Sequence, residues 1–71
     1  MALKEQLEGL IDAMVAKGVR YTDAQREFEK KFIAHVLSRS DGNLGKAAGV
    51  LGIHRNTLTR KMTEYRLKRS A

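Results

Sequence analysis

Two short helical stretches near the C-terminus are separated by only three residues, Gly52, Ile53 and His54. The apolar spacing on either side predicts helices over residues 44–51 and 55–66. Helices this short, joined by so short a turn, cross steeply, as in a helix-turn-helix motif. Gly52 can adopt the positive φ that such a turn needs, and Ile53 can fill the space between the helices. An ordinary helical hairpin is the alternative.

Two longer helices are expected before this pair, over residues 2–17 and 23–39. Apolar residues recur in both stretches at spacings of three and four, which is typical of amphipathic helices. Gly18 suits the left-handed position that closes a helix. Thr22 and Gln25 form a predicted capping box at the start of the second helix. No strand alternation persists, so the sequence predicts an all-α fold with four helices.

The length of the chain limits how stable it can be alone. A domain of 71 residues buries only about 60% of the surface that its unfolded chain exposes. Small domains usually need a disulfide, a metal or a partner, but the sequence has no cysteine and its two histidines, His35 and His54, have no ligand cluster around them. Oligomerisation is therefore the expected source of the missing stability.

The charge of the chain is unevenly distributed. Residues 1–41 contain seven Lys/Arg and seven Asp/Glu, whereas residues 42–71 contain seven Lys/Arg and a single acid, Glu64. The last 30 residues therefore carry the whole net charge of +6. Such an asymmetry points to a polyanionic partner for the C-terminal part, with nucleic acid as the first candidate. A solvated basic face without a partner is the alternative.

The last helix has two different faces. Its core-facing stripe consists of Leu58, Met62 and Tyr65. The opposite face presents arginine, asparagine and threonine, and threonine is a mediocre helix former. Arginine can donate twice to guanine, asparagine pairs with adenine, and threonine offers a hydroxyl and a methyl group. In helix-turn-helix proteins the start of the second helix reads base edges, so the predicted base-reading residues are Arg55, Asn56, Thr59 and Arg60.

Contacts with phosphate need only hydrogen-bond donors and positive charge. Lys46 and Asn43 lie at the start of the third helix, where the helix dipole favours an anion. The stem of Lys61 can extend towards the DNA backbone. The residues predicted to contact phosphate are Asn43, Lys46, His54, Thr57 and Lys61. A short basic tail follows, with Arg66, Lys68 and Arg69.

The segment "GNLGKAAGVLGIHRNTLTRKMTEY", residues 42–65, resembles the helix-turn-helix of the Fis family. Its core "RNTLTRK" is especially similar to the C-terminal DNA-binding domain of NtrC-type enhancer-binding regulators. The preceding "FEKKFIAHVLSRSDGN" also fits the helix that leads into this motif. The resemblance covers about residues 22–67.

The resemblance implies a homodimeric, sequence-selective DNA-binding protein in a single domain, residues 1–71. Residues 1–41 are then dimerisation helices that intertwine into a four-helix bundle, and residues 42–71 are the helix-turn-helix and basic tail. The helix over 55–66 is expected to enter the major groove. Recognition helices of Fis-like dimers lie closer together than one DNA turn, so bent DNA is implied, at a cost of a few kcal/mol. The expected dimer contacts are Leu3, Leu7, Leu10, Ile11, Met14, Phe28, Phe32 and Val36.

The sequence departs from the family pattern in four respects. It lacks the N-terminal β-hairpin arm of Fis, it has Thr59 where Fis carries a second base-contacting arginine, it has Glu64 where Fis carries a basic residue, and it has neither a receiver nor an ATPase domain. The expected role is a transcription regulator or nucleoid-associated protein in the cytoplasm, either excised or free-standing. We expect no enzyme activity, cofactor, metal, membrane or small-molecule substrate. The alternative is a helical protein–protein interaction module with little affinity for DNA.

Overall fold

The computed structural model describes residues 2–67 of the chain, and these residues form four α-helices and no strand. The helices are α1 (Leu3–Ala16), α2 (Tyr21–Arg39), α3 (Leu44–Leu51) and α4 (Arg55–Glu64). The expected all-α fold with four helices is confirmed for this part of the chain. Two residues of the predicted basic tail, Lys68 and Arg69, lie outside the described residues.

The turn between α1 and α2 begins as expected and then differs. Gly18 has a φ of +75°, and the N–H of Val19 donates to the carbonyl of Met14 at 3.0 Å, which closes α1 in a Schellman motif. The first hydrogen bond of α2 runs from the N–H of Ala24 to the carbonyl of Arg20, at 2.9 Å. The helix therefore starts two residues earlier than predicted.

The predicted capping box at Thr22 and Gln25 is wrong. Thr22 already lies inside the first turn of α2, so its side chain cannot cap the helix. The residue in the capping position is Arg20, which makes no capping hydrogen bond with its side chain.

The end of α4 also differs from the prediction. The helix ends at Glu64, with Tyr65 in the capping position, so the predicted extension to Arg66 is wrong. Arg66 instead adopts a left-handed φ of +55°. The N–H of Leu67 then donates to the carbonyl of Met62 at 2.8 Å, and Leu67 packs against the core. The apolar contact made by Leu67 accompanies this early termination.

The buried core lies between α2, α3 and α4. Two small residues of α3, Ala47 and Ala48, are buried against larger side chains and let the helices approach closely. Leu37 and Leu58 are the largest fully buried side chains. The core consists of Ile33, Val36, Leu37, Ala47, Ala48, Leu58 and Met62, with Leu44, Leu51, Ile53 and Leu67 packed against it.

One predicted dimer contact belongs to this core. Val36 is 8% exposed and packs with the other core residues of the same chain. Its position on α2 places it one turn beyond Phe32 and on the side that faces α3 and α4. Val36, which is predicted to contact a second chain, therefore packs within its own chain and leaves little side-chain surface exposed.

The apolar residues of α1 contribute nothing to the core, since no residue of α1 is buried. They line an open apolar groove of about 790 Å³ between α1, α2 and the turn before α4. We call this feature the α1–α2 groove. Its lining includes Leu7, Leu10, Ile11, Met14, Phe28 and Phe32. Phe28 and Phe32 contact each other there, with ring centroids 5.5 Å apart, and each is about half exposed.

Candidate nucleic-acid interface

The turn between α3 and α4 has the geometry that the sequence predicts. Gly52 has a φ of +71°, a conformation that costs little only for glycine. The N–H of Ile53 donates to the carbonyl of Ala48 at 3.1 Å, and Ile53 packs against the core. The turn is therefore fixed both by a backbone hydrogen bond and by an apolar contact.

Side chains cap the start of both helices of the motif. The Oδ1 of Asn43 accepts a hydrogen bond from the N–H of Lys46 at 3.0 Å and thereby acts as the N-cap of α3. At the start of α4, the Nδ1 of His54 accepts from the N–H of Asn56, also at 3.0 Å. An accepting Nδ1 leaves the proton of a neutral imidazole on Nε2. The exposed His54 can therefore still donate a hydrogen bond through Nε2.

The four predicted base-reading residues share the exposed side of α4. Arg55, Asn56, Thr59 and Arg60 are all exposed, whereas Leu58 on the opposite side is fully buried. The structure thus gathers the predicted set on one surface at the N-terminal half of the helix.

The threonines of this face are partly engaged within the helix. The hydroxyl of Thr59 donates to the carbonyl of Arg55 at 3.1 Å, and the hydroxyl of Thr63 donates to the carbonyl of Thr59 at 3.2 Å. The Thr59 hydroxyl proton is therefore used inside α4. What Thr59 can offer a ligand is its methyl group and the acceptor lone pairs of its oxygen.

The surface around the motif is positive. Neither α3 nor α4 has an acidic residue in its first turn, so the partial positive charge of each helix start is not neutralised locally. Lys46, Arg55 and Arg60 are exposed, and none forms an ion pair with another residue of the 2–67 segment. Thr57, predicted to contact phosphate, is only partly buried at the same end of α4. This surface is suited to an anion.

Lys61 has a different environment from the other basic residues of α4. Its Nζ lies 2.6 Å from the Oε1 of Glu29 on α2, and the hydroxyl of Tyr65 donates to the same oxygen at 3.0 Å. Tyr65, predicted as a core residue, is only partly buried, with the guanidinium of Arg26 5.9 Å from its ring centroid. Glu29 is a functional candidate that was not predicted from the sequence. The available signal was that Lys61 and Tyr65, four residues apart, share one face of α4.

The contacts around Glu29 change two pKa values. The hydrogen bond from Lys61 is the largest influence on Glu29 and lowers the pKa of its carboxyl below the ordinary value, although partial burial opposes this. The hydrogen bond from Tyr65 lowers it further. Partial burial and the neighbouring carboxylate raise the pKa of Tyr65. At neutral pH Glu29 therefore accepts as a carboxylate and Tyr65 donates as a phenol.

Within residues 2–67, no three His, Asp or Glu side chains are grouped so that they could hold a metal ion. No helix in that range combines the length and the apolarity that a membrane crossing requires. What the range does present is a short helix, a glycine turn and a second helix with an exposed polar face. These features define the domain as a helix-turn-helix domain.

Comparison with known families assigns the domain further. The chain belongs to the family described as "Bacterial regulatory protein, Fis family", whose profile matches residues 24–65. The match starts within α2 and includes α3, the turn and α4. The family resemblance predicted from residues 42–65 is therefore confirmed. No solved structure matches the chain.

Curated proteins of two kinds are similar to the chain. A "Putative Fis-like DNA-binding protein" of Xylella fastidiosa (strain Temecula1) is 45% identical over 47 residues, which are 66% of this chain and 52% of that protein. The "DNA-binding transcriptional regulator NtrC" of Azospirillum brasilense is 39% identical over 62 residues, which are 87% of this chain and 13% of the regulator. The chain thus spans about half the length of the Fis-like relative and a small part of NtrC.

Proposed function

We propose that the chain is a homodimeric, sequence-selective DNA-binding protein that regulates transcription or organises the nucleoid of a bacterium. α4 enters the major groove, and each copy of the chain contacts one half of a two-fold symmetric site. The observation that carries this proposal is the exposed face of α4, where two arginines without an ion-pair partner among the described residues lie beside asparagine and threonine. The names of the relatives support it.

Base reading is assigned to the start of α4. Arg55 and Arg60 donate to guanine, Asn56 bonds to adenine, and Thr59 contacts a thymine methyl through its own methyl group. The Thr59 contact is apolar because its hydroxyl proton is used by the carbonyl of Arg55. These contacts determine which sequence is bound, whereas phosphate contacts determine how the motif is placed on the duplex.

Phosphate contacts are assigned to the two helix starts. The donors assigned to phosphate are the backbone N–H groups that the side-chain caps leave unpaired, the ammonium of Lys46 and the Nε2–H of His54. The side-chain amide of Asn43 and the hydroxyl of Thr57 add two further donors. With its oxygen capping α3, Asn43 still has its NH₂ group available.

The homodimer is proposed because α1 and α2 expose many large apolar side chains that have no cover among the described residues. The α1–α2 groove is open, and the helices that line it expose leucine, isoleucine and phenylalanine side chains. A second copy covers these side chains in the proposed bundle, at Leu3, Leu7, Leu10, Ile11, Met14, Phe28 and Phe32. Such a dimer presents its two α4 helices on one side and bends the duplex to bring both half-sites to them. Energy transfer between dyes at the two duplex ends measures the bend.

The direct test is selection of bound duplexes from a random library, followed by affinity measurements on the selected site. We expect a palindromic motif and a log affinity that falls with log salt by about 0.9 for each phosphate neutralised. Arg55→Ala and Arg60→Ala should each weaken binding to the selected site by about 1–3 kcal/mol and relax the preference at one base pair per half-site. A chain that enriches no motif, or that binds the site equally well without both arginines, contradicts the proposal.

A matched control separates base reading from loss of charge. Lys4→Ala removes one positive charge from α1, far along the chain from the proposed interface. It should leave the preferred motif unchanged and alter affinity only slightly. Equal losses from Lys4→Ala and Arg60→Ala would show that binding depends on net charge alone.

A further inference from the structure

One carboxylate connects α4 to α2. The Oε1 of Glu29 accepts hydrogen bonds from the Nζ of Lys61, at 2.6 Å, and from the hydroxyl of Tyr65, at 3.0 Å. Within residues 2–67, these are the two hydrogen bonds that join side chains of different parts of the fold, since the others are local along the chain. We call this arrangement the Glu29 clamp.

The clamp is partly shielded from water and holds the end of α4 at more than one point. The side chains of Lys61 and Glu29 are 30% and 28% exposed, compared with 76% and 55% for the ion pair of Lys31 and Glu27 on the surface of α2. One turn before Glu29, the guanidinium of Arg26 lies 5.9 Å from the ring centroid of Tyr65. Shielding strengthens the attraction between the two charges, and the second contact restricts the rotation of α4.

Lys61 is thereby separated in function from its neighbours on α4. Arg55 and Arg60 are exposed and have no carboxylate partner among the described residues, whereas the ammonium of Lys61 is bound to Glu29. A phosphate could recruit Lys61 only by leaving the Glu29 carboxylate, already partly desolvated, with the Tyr65 hydroxyl as its remaining partner. That exchange gains one ion pair and loses another.

We propose that Glu29 is a positioning residue for DNA binding: it fixes α4 against α2 through Lys61 and Tyr65, and it keeps Lys61 off the phosphate backbone. The inference deepens the proposed function and rests on it. The positive charge that meets DNA then comes from the helix starts and the exposed arginines. A helix that also carries the dimer-facing Phe28 and Phe32 thereby sets the orientation of the recognition helix in the groove.

The test is the salt dependence of binding to a duplex with the selected site, measured between about 50 and 200 mM salt. Lys61→Gln keeps a hydrogen-bond donor for Glu29, and it should leave the slope of log affinity against log salt unchanged. Glu29→Gln keeps the shape of the side chain but releases the ammonium of Lys61, and it should steepen the slope by about 0.9, one additional phosphate. The double variant has the net charge of the unaltered chain and should return the slope to its original value.

Two results overturn the proposal. Lys61→Gln flattening the slope by about 0.9 would show that Lys61 binds phosphate while Glu29 is present. An unchanged slope for Glu29→Gln would show that Glu29 does not restrain Lys61. Binding of the duplex by the unaltered chain tests the proposed function separately. If the chain binds DNA through Lys61, the proposed DNA-binding function stands and only the proposed role of Glu29 is rejected. Among variants of the Glu29 clamp, Tyr65→Phe removes only one hydroxyl and should therefore disturb folding least.

Discussion

His54 caps α4 with a ring nitrogen, a role that asparagine, aspartate or serine more often fills. Its Nδ1 accepts the N–H of Asn56, one of the unpaired donors in the first turn. We expect His54→Ala to lower the free energy of unfolding by about 1 kcal/mol, because that donor then loses its protein partner. Urea denaturation followed by circular dichroism measures the change.

The matched control for this prediction is His54→Asn. Asparagine is a strong N-cap, so the variant should recover most of the stability lost in His54→Ala. It lacks the outward Nε2–H, and its affinity for duplex should therefore stay below that of the unaltered chain. Equal stability of the alanine variant and the unaltered chain would show that the cap contributes nothing.

Arg66 occupies a left-handed backbone position at the end of α4, with a φ of +55°. A side chain with a Cβ is disfavoured there by roughly 1–2 kcal/mol, whereas glycine adopts this region freely but loses more entropy on folding. Arg66→Gly should therefore stabilise the chain by up to about 1 kcal/mol. Arg66→Ala removes the same charge without the conformational freedom. The glycine variant should have the higher midpoint in urea, and the reverse order would contradict the left-handed conformation.

At the scale of the helices, the link between α2 and α4 depends on pH. The pKa of Glu29 is lowered in the folded chain from its ordinary value of 4.5. The stability that it contributes is therefore fully present above that value and is lost as the pH falls through the lower, folded-state pKa. Glu29→Gln, which does not titrate, should be less stable than the unaltered chain at pH 7, and the difference should shrink below about pH 4.5.

Thermal melts of both proteins across the acid range check this expectation. Because both proteins contain all the other carboxylates, the contribution of those groups to the pH dependence cancels in the difference between the two. A difference in stability that stays constant from pH 7 to pH 3 would contradict a charged Glu29 in the folded chain. Glu27→Gln, on the more exposed ion pair of α2, provides the control and should show a smaller difference.

The helices of the C-terminal half could be predicted well from the sequence because their signals are local. Asn43 caps α3, Gly52 forms the turn, and Leu58 and Met62 form the buried stripe of α4. Each of these features depends only on residues that are close together in the sequence. The predicted start of α2 is two residues too late, because the helix begins at Tyr21 without the side-chain cap that would mark its start in the sequence. Local signals give the type of an element more reliably than its boundary.

Contacts between distant residues could not be predicted in the same way. The spacing in α2 indicates a broad apolar face but not which part of it packs inside the chain, so Val36 was grouped with Phe28 and Phe32. The partner of Lys61 lies 32 residues away on another helix. Glu29 comes within hydrogen-bond distance of Lys61 because of the angle at which α2 and α4 pack. That angle cannot be predicted from the periodicity of the sequence. The shared exposed placement of the four predicted base-reading residues could be predicted, because a single helix determines which of its residues lie on one face.

At the scale of the whole molecule, the chain consists of a packed C-terminal part and an N-terminal helix that is not buried. α2, α3 and α4 supply every core residue, and α1 supplies none. Large apolar patches on small proteins mark interaction sites. If the α1–α2 groove is filled by a second copy, the stability of the chain depends on its concentration, since association favours the folded state by mass action.

Leu10 gives the sharpest test of this dependence. It lines the α1–α2 groove and also a second apolar hollow, next to that groove, which Val36 lines as well. Its side chain is 50% exposed in the single chain. In a monomer, Leu10→Ala removes a half-exposed side chain and should change the free energy of unfolding by only about 0.5 kcal/mol. In a dimer the same change empties a packed interface and should cost about 2–5 kcal/mol per site. Val50→Ala is the control, because Val50 is 66% exposed and lines neither the groove nor the second hollow. It should have little effect in either case.

We therefore expect the melting midpoint of the unaltered chain to rise with protein concentration. Leu10→Ala should lower the midpoint strongly, and sedimentation should show that this variant dissociates to monomers. A midpoint independent of concentration, together with equally small effects of both variants, would remove the dimer from the proposed function.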